Sequence, residues 1–187
     1  MKNTKLITEV AILVALAVVL EVVFTGLAAF FPFLALPYGG RVSLSMLPIF
    51  IVTYRHGFRY GIYAGVIYSI MNLLLDGAIY HWASVPLDYL IAFGSLGLGY
   101  IGVLLLGKNF KGFALMVVIG SFFRFLSSFI SGIILVTANP TWLPGEFTAI
   151  APYSAVYNAY YMVPSAILII IVGYFLMKRI NVEGDLF

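Results

Sequence analysis

Apolar residues run almost unbroken through six stretches of the chain, at 6–31, 42–54, 60–75, 85–106, 113–136 and 151–177. A helix needs about 20 such residues to cross a bilayer, so the pattern predicts six transmembrane helices, of which the second and third are short. Arg55, His56, Gly57 and Arg59 fall between those two, a turn-and-charge signal that separates two helices instead of one broken span. With no repeat, low-complexity tract or soluble segment in view, 1–187 reads as one membrane domain.

The basic residues gather in alternate connections. Lys2 and Lys5 precede the first stretch, Arg55 and Arg59 follow the second, Lys108 and Lys111 follow the fourth, and Lys178 and Arg179 follow the sixth. The other connections carry Arg41 as their only Lys or Arg, beside Asp76, His81 and Glu146. The positive-inside rule then places both termini in the cytoplasm, as an even number of spans requires. Glu9 opens the first stretch and no small-residue cleavage pattern precedes Pro32, so this stretch is expected to be a retained helix and not a secretory signal. On the opposite side, 31–41 (Pro32, Pro37, Gly39, Gly40) and 139–150 (Pro140, Trp142, Pro144, Gly145) are rich in helix breakers and aromatics. They suit a cover over an outward-opening pocket, while Trp142 taken alone equally suits an interfacial belt.

Composition narrows the class further. Hydrophobic residues make up 63% of the chain and charged residues 9%, and the mean hydropathy is +1.10; this is an all-α integral membrane protein. There is no cysteine and there are two histidines, which excludes disulfides, thiolate metal sites and a His cluster. The net charge of +3 comes from basic pairs flanking apolar runs, a topology signal and not a nucleic-acid face. Gly107-Lys108-Asn109-Phe110-Lys111-Gly112 lacks the Lys-Ser/Thr ending of a phosphate-binding loop, and no metalloprotease or nucleophile-elbow motif occurs. An enzyme is not expected, nor a cofactor or a metal.

Ionised residues stranded inside the apolar stretches are the candidates for function, because such a group costs several kcal/mol unless paired or hydrated. Asp88 lies one turn into the fourth stretch, after Ser84 as an N-cap and Pro86. Its carboxylate is open to two readings, a counter-ion for the helix dipole and Arg124, or a ligand-binding acid. Ser121, Arg124, Ser127, Ser128 and Ser131 recur at steps of three and four, one polar face of the fifth helix. Tyr153, Ser154, Tyr157, Asn158, Tyr160 and Tyr161 open the sixth. Asn158 has donors and an acceptor to satisfy and is less readily a belt residue than the tyrosines. An acid, an amide, hydroxyls and aromatic rings together suit a flat, nitrogen-rich, cationic ligand. Ala11 and Ala15 put small residues on one face of the first helix, and Gly61 with Gly65 repeats the spacing; each allows close helix approach, within the chain or to a partner.

Several of these motifs resemble a known family. Ala11-Ile-Leu-Val-Ala15, Gly39-Gly40-Arg-Val-Ser-Leu-Ser-Met-Leu-Pro48-Ile-Phe, Tyr54-Arg-His-Gly57, Leu87-Asp88-Tyr89 and Tyr153-Ser-Ala-Val-Tyr-Asn158-Ala-Tyr-Tyr-Met-Val-Pro164 are similar to those of the ThiT family. These are the thiamine-binding substrate-specificity subunits, or S components, of energy-coupling factor (ECF) vitamin transporters. The resemblance implies a six-helix S-component fold that binds thiamine in an outward-facing pocket and delivers it when docked on a transmembrane coupling subunit with two ATPases. It implies that Asp88 bonds the aminopyrimidine, that Tyr89, Tyr153 and Asn158 line the pocket, that Arg124 accompanies the acid, and that Ala11 and Ala15 face the coupling subunit. Ser128 stands where the family commonly has a histidine and Val136 where some members have a tryptophan. The departure leaves three outcomes open: weaker thiamine binding, compensation by Tyr157 or Trp142, or a different ligand such as a thiamine precursor or another vitamin; whether Arg41 or Glu21 enters the pocket is left open as well. A solitary proton-linked secondary transporter built on Asp88 and Arg124 is the alternative from another class.

Overall fold

In a computed structural model, residues 2–76 and 79–183 are described, and six helices follow the six apolar stretches. They are α1 (Lys2–Phe30), α2 (Met46–His56), α3 (Phe58–Asp76), α4 (Val85–Leu106), α5 (Phe110–Ala138) and α6 (Ile150–Glu183). Among the described residues the one extended pairing is an isolated antiparallel bridge, Ala35 to Arg41. All of these helices except α2 are long and apolar enough to cross a membrane.

The second stretch departs from expectation. Residues 42–45 are not helical, and α2 has 11 residues, about 16 Å of helix against a hydrocarbon core of about 30 Å. Its residues Met46–Phe50 and Val52–Tyr54 are buried, so its neighbours wall it off and it has no lipid face. It ends at Gly57, whose φ of 86° is open to glycine without strain and whose N–H caps the Thr53 carbonyl at 2.8 Å. The separation of α2 from α3 at that position is as expected.

The fourth helix is not a regular α-helix either. Val85–Ile91 is π-helical, Ala92–Gly94 α-helical, Ser95–Tyr100 a 3-10 segment and Ile101–Leu106 α-helical. Ser84 is not its N-cap: it has helical φ/ψ and its hydroxyl caps nothing. The wide π turn carries Asp88, and π turns concentrate at functional sites because they re-aim side chains. The 3-10 segment is rich in glycine for a packing reason. A Cβ on Gly97 would meet the Ile62 amide nitrogen at 2.6 Å, and one on Gly99 the Met116 carbonyl at 2.3 Å. Backbone therefore touches backbone where α4 passes between α3 and α5.

The apolar core fills one half of the bundle, with Val14, Phe50, Tyr54, Val103, Phe113 and Met116 among its members. Glu9 on α1 pairs with Arg55 at 3.0 Å and His56 at 3.1 Å at this end, near the first basic connection. The other half is hollow and is roofed by the non-basic connections. Large apolar side chains such as Ile12, Leu16, Leu104, Ile171 and Phe175 are exposed on the outside, a periphery suited to lipid. On α1, Val10, Val14, Ala17 and Glu21 face inward and are buried, whereas Ala11 and Ala15 face outward and are exposed.

Candidate ligand cavity

The π turn of α4 directs Asp88 into the hollow half of the bundle, where it lines a cavity together with Tyr89 and Phe93. Ser131 of α5 donates to Asp88 Oδ2 at 2.5 Å. The hydroxyls of Ser128 and Ser84 also lie near the Asp88 carboxylate, whose several lone pairs still leave an acceptor for whatever enters. The expected contact with Arg124 is absent, because the Arg124 guanidinium instead lies over the Phe93 ring, 4.2 Å from its centroid. Arg124 Nε is buried and has no hydrogen-bond partner among the described residues. Cation–π attraction to Phe93 holds the arginine at the cavity wall while leaving that donor unused.

The serine stripe of α5 does face inward. Ser127 donates to the Leu87 carbonyl at 2.6 Å and fastens α5 to the π turn. Ser128 lines the cavity with a buried hydroxyl, and its carbonyl accepts from Asn158 Nδ2 at 3.3 Å. Asn158 also donates to the Ser154 carbonyl at 2.9 Å and accepts from the Tyr161 hydroxyl at 2.8 Å. Both amide protons are thereby engaged, which leaves Asn158 able to offer a ligand only a second lone pair on Oδ1. Tyr153 and Tyr157 complete this wall. The Tyr157 hydroxyl accepts from the Gly40 amide at 3.0 Å and donates to the Pro37 carbonyl.

Three separate connections build the roof. Tyr38 from 31–45, Tyr80 from 79–84 and Trp142 from 139–149 all line the cavity. The Tyr38 and Trp142 rings stack at 4.5 Å with 15° between planes, and Tyr80 meets both edge-on, at 5.9 and 5.3 Å. Trp142 is thus part of the enclosure and not a free-standing belt residue. Tyr38 sits at φ 65°, a left-handed conformation that is uncommon for a non-glycine residue and that turns its ring onto Trp142.

Asp88, Tyr89, Arg124, Ser128, Tyr153, Tyr157 and Asn158, the expected binding residues, all line this one cavity. Ala11 and Ala15 do not, lying on the outer face of α1. Sequence reasoning missed Tyr38, Tyr80, Ser45, Asn72 and Phe93, and left Glu21 and Arg41 unplaced; all seven line the cavity. Glu21 carried the signal that flagged Asp88, a carboxylate inside an apolar stretch. Tyr38 and Tyr80 carried none, because an aromatic near a membrane surface has an ordinary explanation.

Comparison with known proteins bears on what this cavity serves. A family model described as Thiamine transporter protein (Thia_YuaJ) matches residues 7–183. Thiamine transporter ThiT of Bacillus subtilis (strain 168) is 31% identical over 179 residues, covering 88% of this chain and 85% of that protein. A solved structure of ThiT from Listeria monocytogenes superposes with a TM-score of 0.77 at 20% identity, covering 96% of either chain. That last likeness is one of fold.

Proposed function

The chain belongs to the Thiamine transporter protein family, a family of transporters and not of enzymes, and from that membership we propose that its cavity captures thiamine from outside the cell. In this reading the chain is the S component of an ECF importer, and a coupling subunit with two ATPases drives release inward. The observation that carries the proposal is the Asp88 carboxylate, held by Ser131 at the wall of a cavity lined by aromatic rings.

Thiamine has two rings with different needs. Its aminopyrimidine offers an exocyclic amine and ring nitrogens, and the Asp88 carboxylate accepts from the amine in a charge-assisted bond. Its thiazolium is a permanent cation, which the faces of Tyr38, Trp142, Tyr153 and Tyr157 attract and which the carboxylate neutralises. Ser128 adds a hydroxyl but no ring, so aromatic contact with the ligand falls to the roof and to α6. The basic connections lie at the closed, core-filled end of the bundle, and the positive-inside rule therefore turns the cavity outward.

Calorimetric titration of the detergent-purified chain with thiamine, thiamine phosphates, the pyrimidine precursor and riboflavin tests the ligand. Selective thiamine binding is expected. Binding of the precursor in preference to thiamine would shift the assignment to that ligand, and uptake by the chain alone in proteoliposomes under a pH gradient would replace the S-component reading with a secondary transporter.

A further inference from the structure

Glu21 lies inside a strongly apolar helix, and both of its oxygens are engaged by side chains of this chain. Arg41 Nε meets Oε1 at 3.0 Å, and Oε2 accepts from Ser43 Oγ at 2.9 Å and from the Tyr68 hydroxyl at 3.2 Å. Thr25, one turn on, donates to the Glu21 carbonyl at 2.8 Å and accepts from Arg41 Nη1 at 2.6 Å. Two of these partners, Arg41 and Ser43, come from one segment. That segment, 31–45, is a strap that runs from α1 to α2 and supplies Tyr38, Gly39 and Gly40 to the cavity lining.

The strap is closed on itself. Leu36 N–H donates to the Gly40 carbonyl at 2.6 Å and Val42 N–H to the Leu34 carbonyl at 2.8 Å, around the Ala35–Arg41 bridge. A segment braced in this way moves as a unit, so what holds its base holds its tip. Tyr157 grips the tip through Gly40 and Pro37, and Ser165 Oγ accepts from Ser43 N–H at 3.1 Å. On the α1 side the grip is ionic, and the side chains of Glu21 and Arg41 are only 11% and 12% exposed.

We propose that Glu21 and Arg41 are positioning residues for ligand retention: their buried ion pair clamps the base of the strap to α1, keeps Tyr38 stacked on Trp142 across the mouth, and so sets the rate at which ligand leaves. This inference rests on the reading of the cavity as a ligand site and adds to it a kinetic role for a pair that need not touch ligand. Loss of one partner from a buried, hydrogen-bonded charge pair shows mainly in the dissociation rate.

The experiment compares Glu21→Gln, Arg41→Gln and the double variant of the full chain in detergent, with thiamine as probe and stopped-flow tryptophan fluorescence as readout. Each single variant is expected to raise the dissociation rate about tenfold or more without lowering the association rate, and the double variant to be no faster than either single. A direct role for Glu21 as a second acid for a cationic ligand predicts the opposite for Arg41→Gln, since removing the neighbouring cation would tighten binding; that result, or additive effects, overturns the proposal. Hydrogen exchange at the Gly40 and Val42 amides of the unliganded protein is the second arm. It is expected to quicken in both variants, and unchanged exchange in folded variants would also overturn the clamp. Because this arm needs no ligand, it stands apart from the thiamine reading, which fails on its own if the unmodified chain binds no thiamine. Thr25→Val guards against misfolding: it keeps both charges, lies on the exposed face of α1, and is expected to move exchange and dissociation in the same direction by a smaller factor.

Discussion

Asp88 and Glu21 are the same kind of group in the same kind of place, a carboxylate inside an apolar helix, and their surroundings give them different work. Glu21 has its oxygens engaged by Arg41, Ser43 and Tyr68, an ion pair among them, while Asp88 is held by Ser131 with neutral serine hydroxyls around it. Asp88→Asn removes the charge that the proposed ligand would use, at a loss of about 1.5–3 kcal/mol for a charged hydrogen bond. Thiamine affinity is therefore expected to fall about 10- to 150-fold in calorimetry; unchanged affinity in folded protein would reduce Asp88 to a structural acceptor for Ser131. The two tryptophans allow a second prediction at this scale. Trp142 stacks on Tyr38 at the mouth, whereas Trp82 is 76% exposed and paired only loosely with His81. Trp82→Phe is expected to keep the fluorescence change on thiamine addition and Trp142→Phe to abolish most of it; the reverse result would place the ligand away from the roof. Charge inside an apolar run was legible from the residues alone, for Glu21 as much as for Asp88. The partner of each was not, because a helical repeat fixes the face a residue shares and says nothing of which distant residue meets it. Arg124 shows this plainly: spacing put it on the serine face, but its seat over Phe93 instead of beside Asp88 depends on how α4 and α5 cross.

At the scale of the element, the apolar runs marked where helices lie but not what kind of helix each is. The run at 85–106 reads as an ordinary span, yet its backbone passes through π, α and 3-10 geometry. Periodicity is blind to this, because apolar side chains face both the core and the lipid and little contrast between faces remains. What betrays it in retrospect is glycine, at Gly97, Gly99 and Gly102, where neighbouring helices come within backbone contact. Gly65 on α3 is the counterpart on the facing helix: a Cβ there would lie 2.1 Å from the Phe93 carbonyl oxygen. Gly65→Ala must push α3 and α4 apart and shift the ring that seats Arg124. A cost of about 1–3 kcal/mol is expected from such overpacking, seen as a lower thermal midpoint in detergent together with weakened ligand binding. Gly26→Ala on α1, with nothing within 4 Å of the new methyl, is the control and is expected to be neutral or to stabilise by up to about 1 kcal/mol through helix propensity. Equal losses in both would mean that the glycines act through backbone freedom and not through packing.

The whole molecule is lopsided, and that asymmetry bears on how a binding protein becomes part of a transporter. One end is filled by the apolar core and tied by Glu9 to Arg55 and His56; the other holds the cavity beneath three loops. Phe50, Leu96, Met116 and Val117 fill the centre of the bundle with almost no exposure. On the proposed S-component function, release at the basic end needs this packing to move, and the coupling partner would supply the work. The face we propose for such a partner is on α1, the least buried of the helices long enough to cross a membrane. Its inward residues Val14, Ala17 and Glu21 pack on the bundle, whereas Ala11 and Ala15 lie outward, where small side chains let a second helix approach closely. Replacing both with Trp adds bulk on that outer face and leaves the inward face of the helix unchanged. Thiamine affinity of the isolated chain is expected to stay within about twofold, as for sites that share no partners. ATP-dependent uptake by cells carrying the complete importer is expected to fall to background. Full uptake in the double Trp variant would move docking to another face of the molecule, and lost binding in the isolated chain would show instead that the outer face of α1 helps to shape the cavity through Glu21.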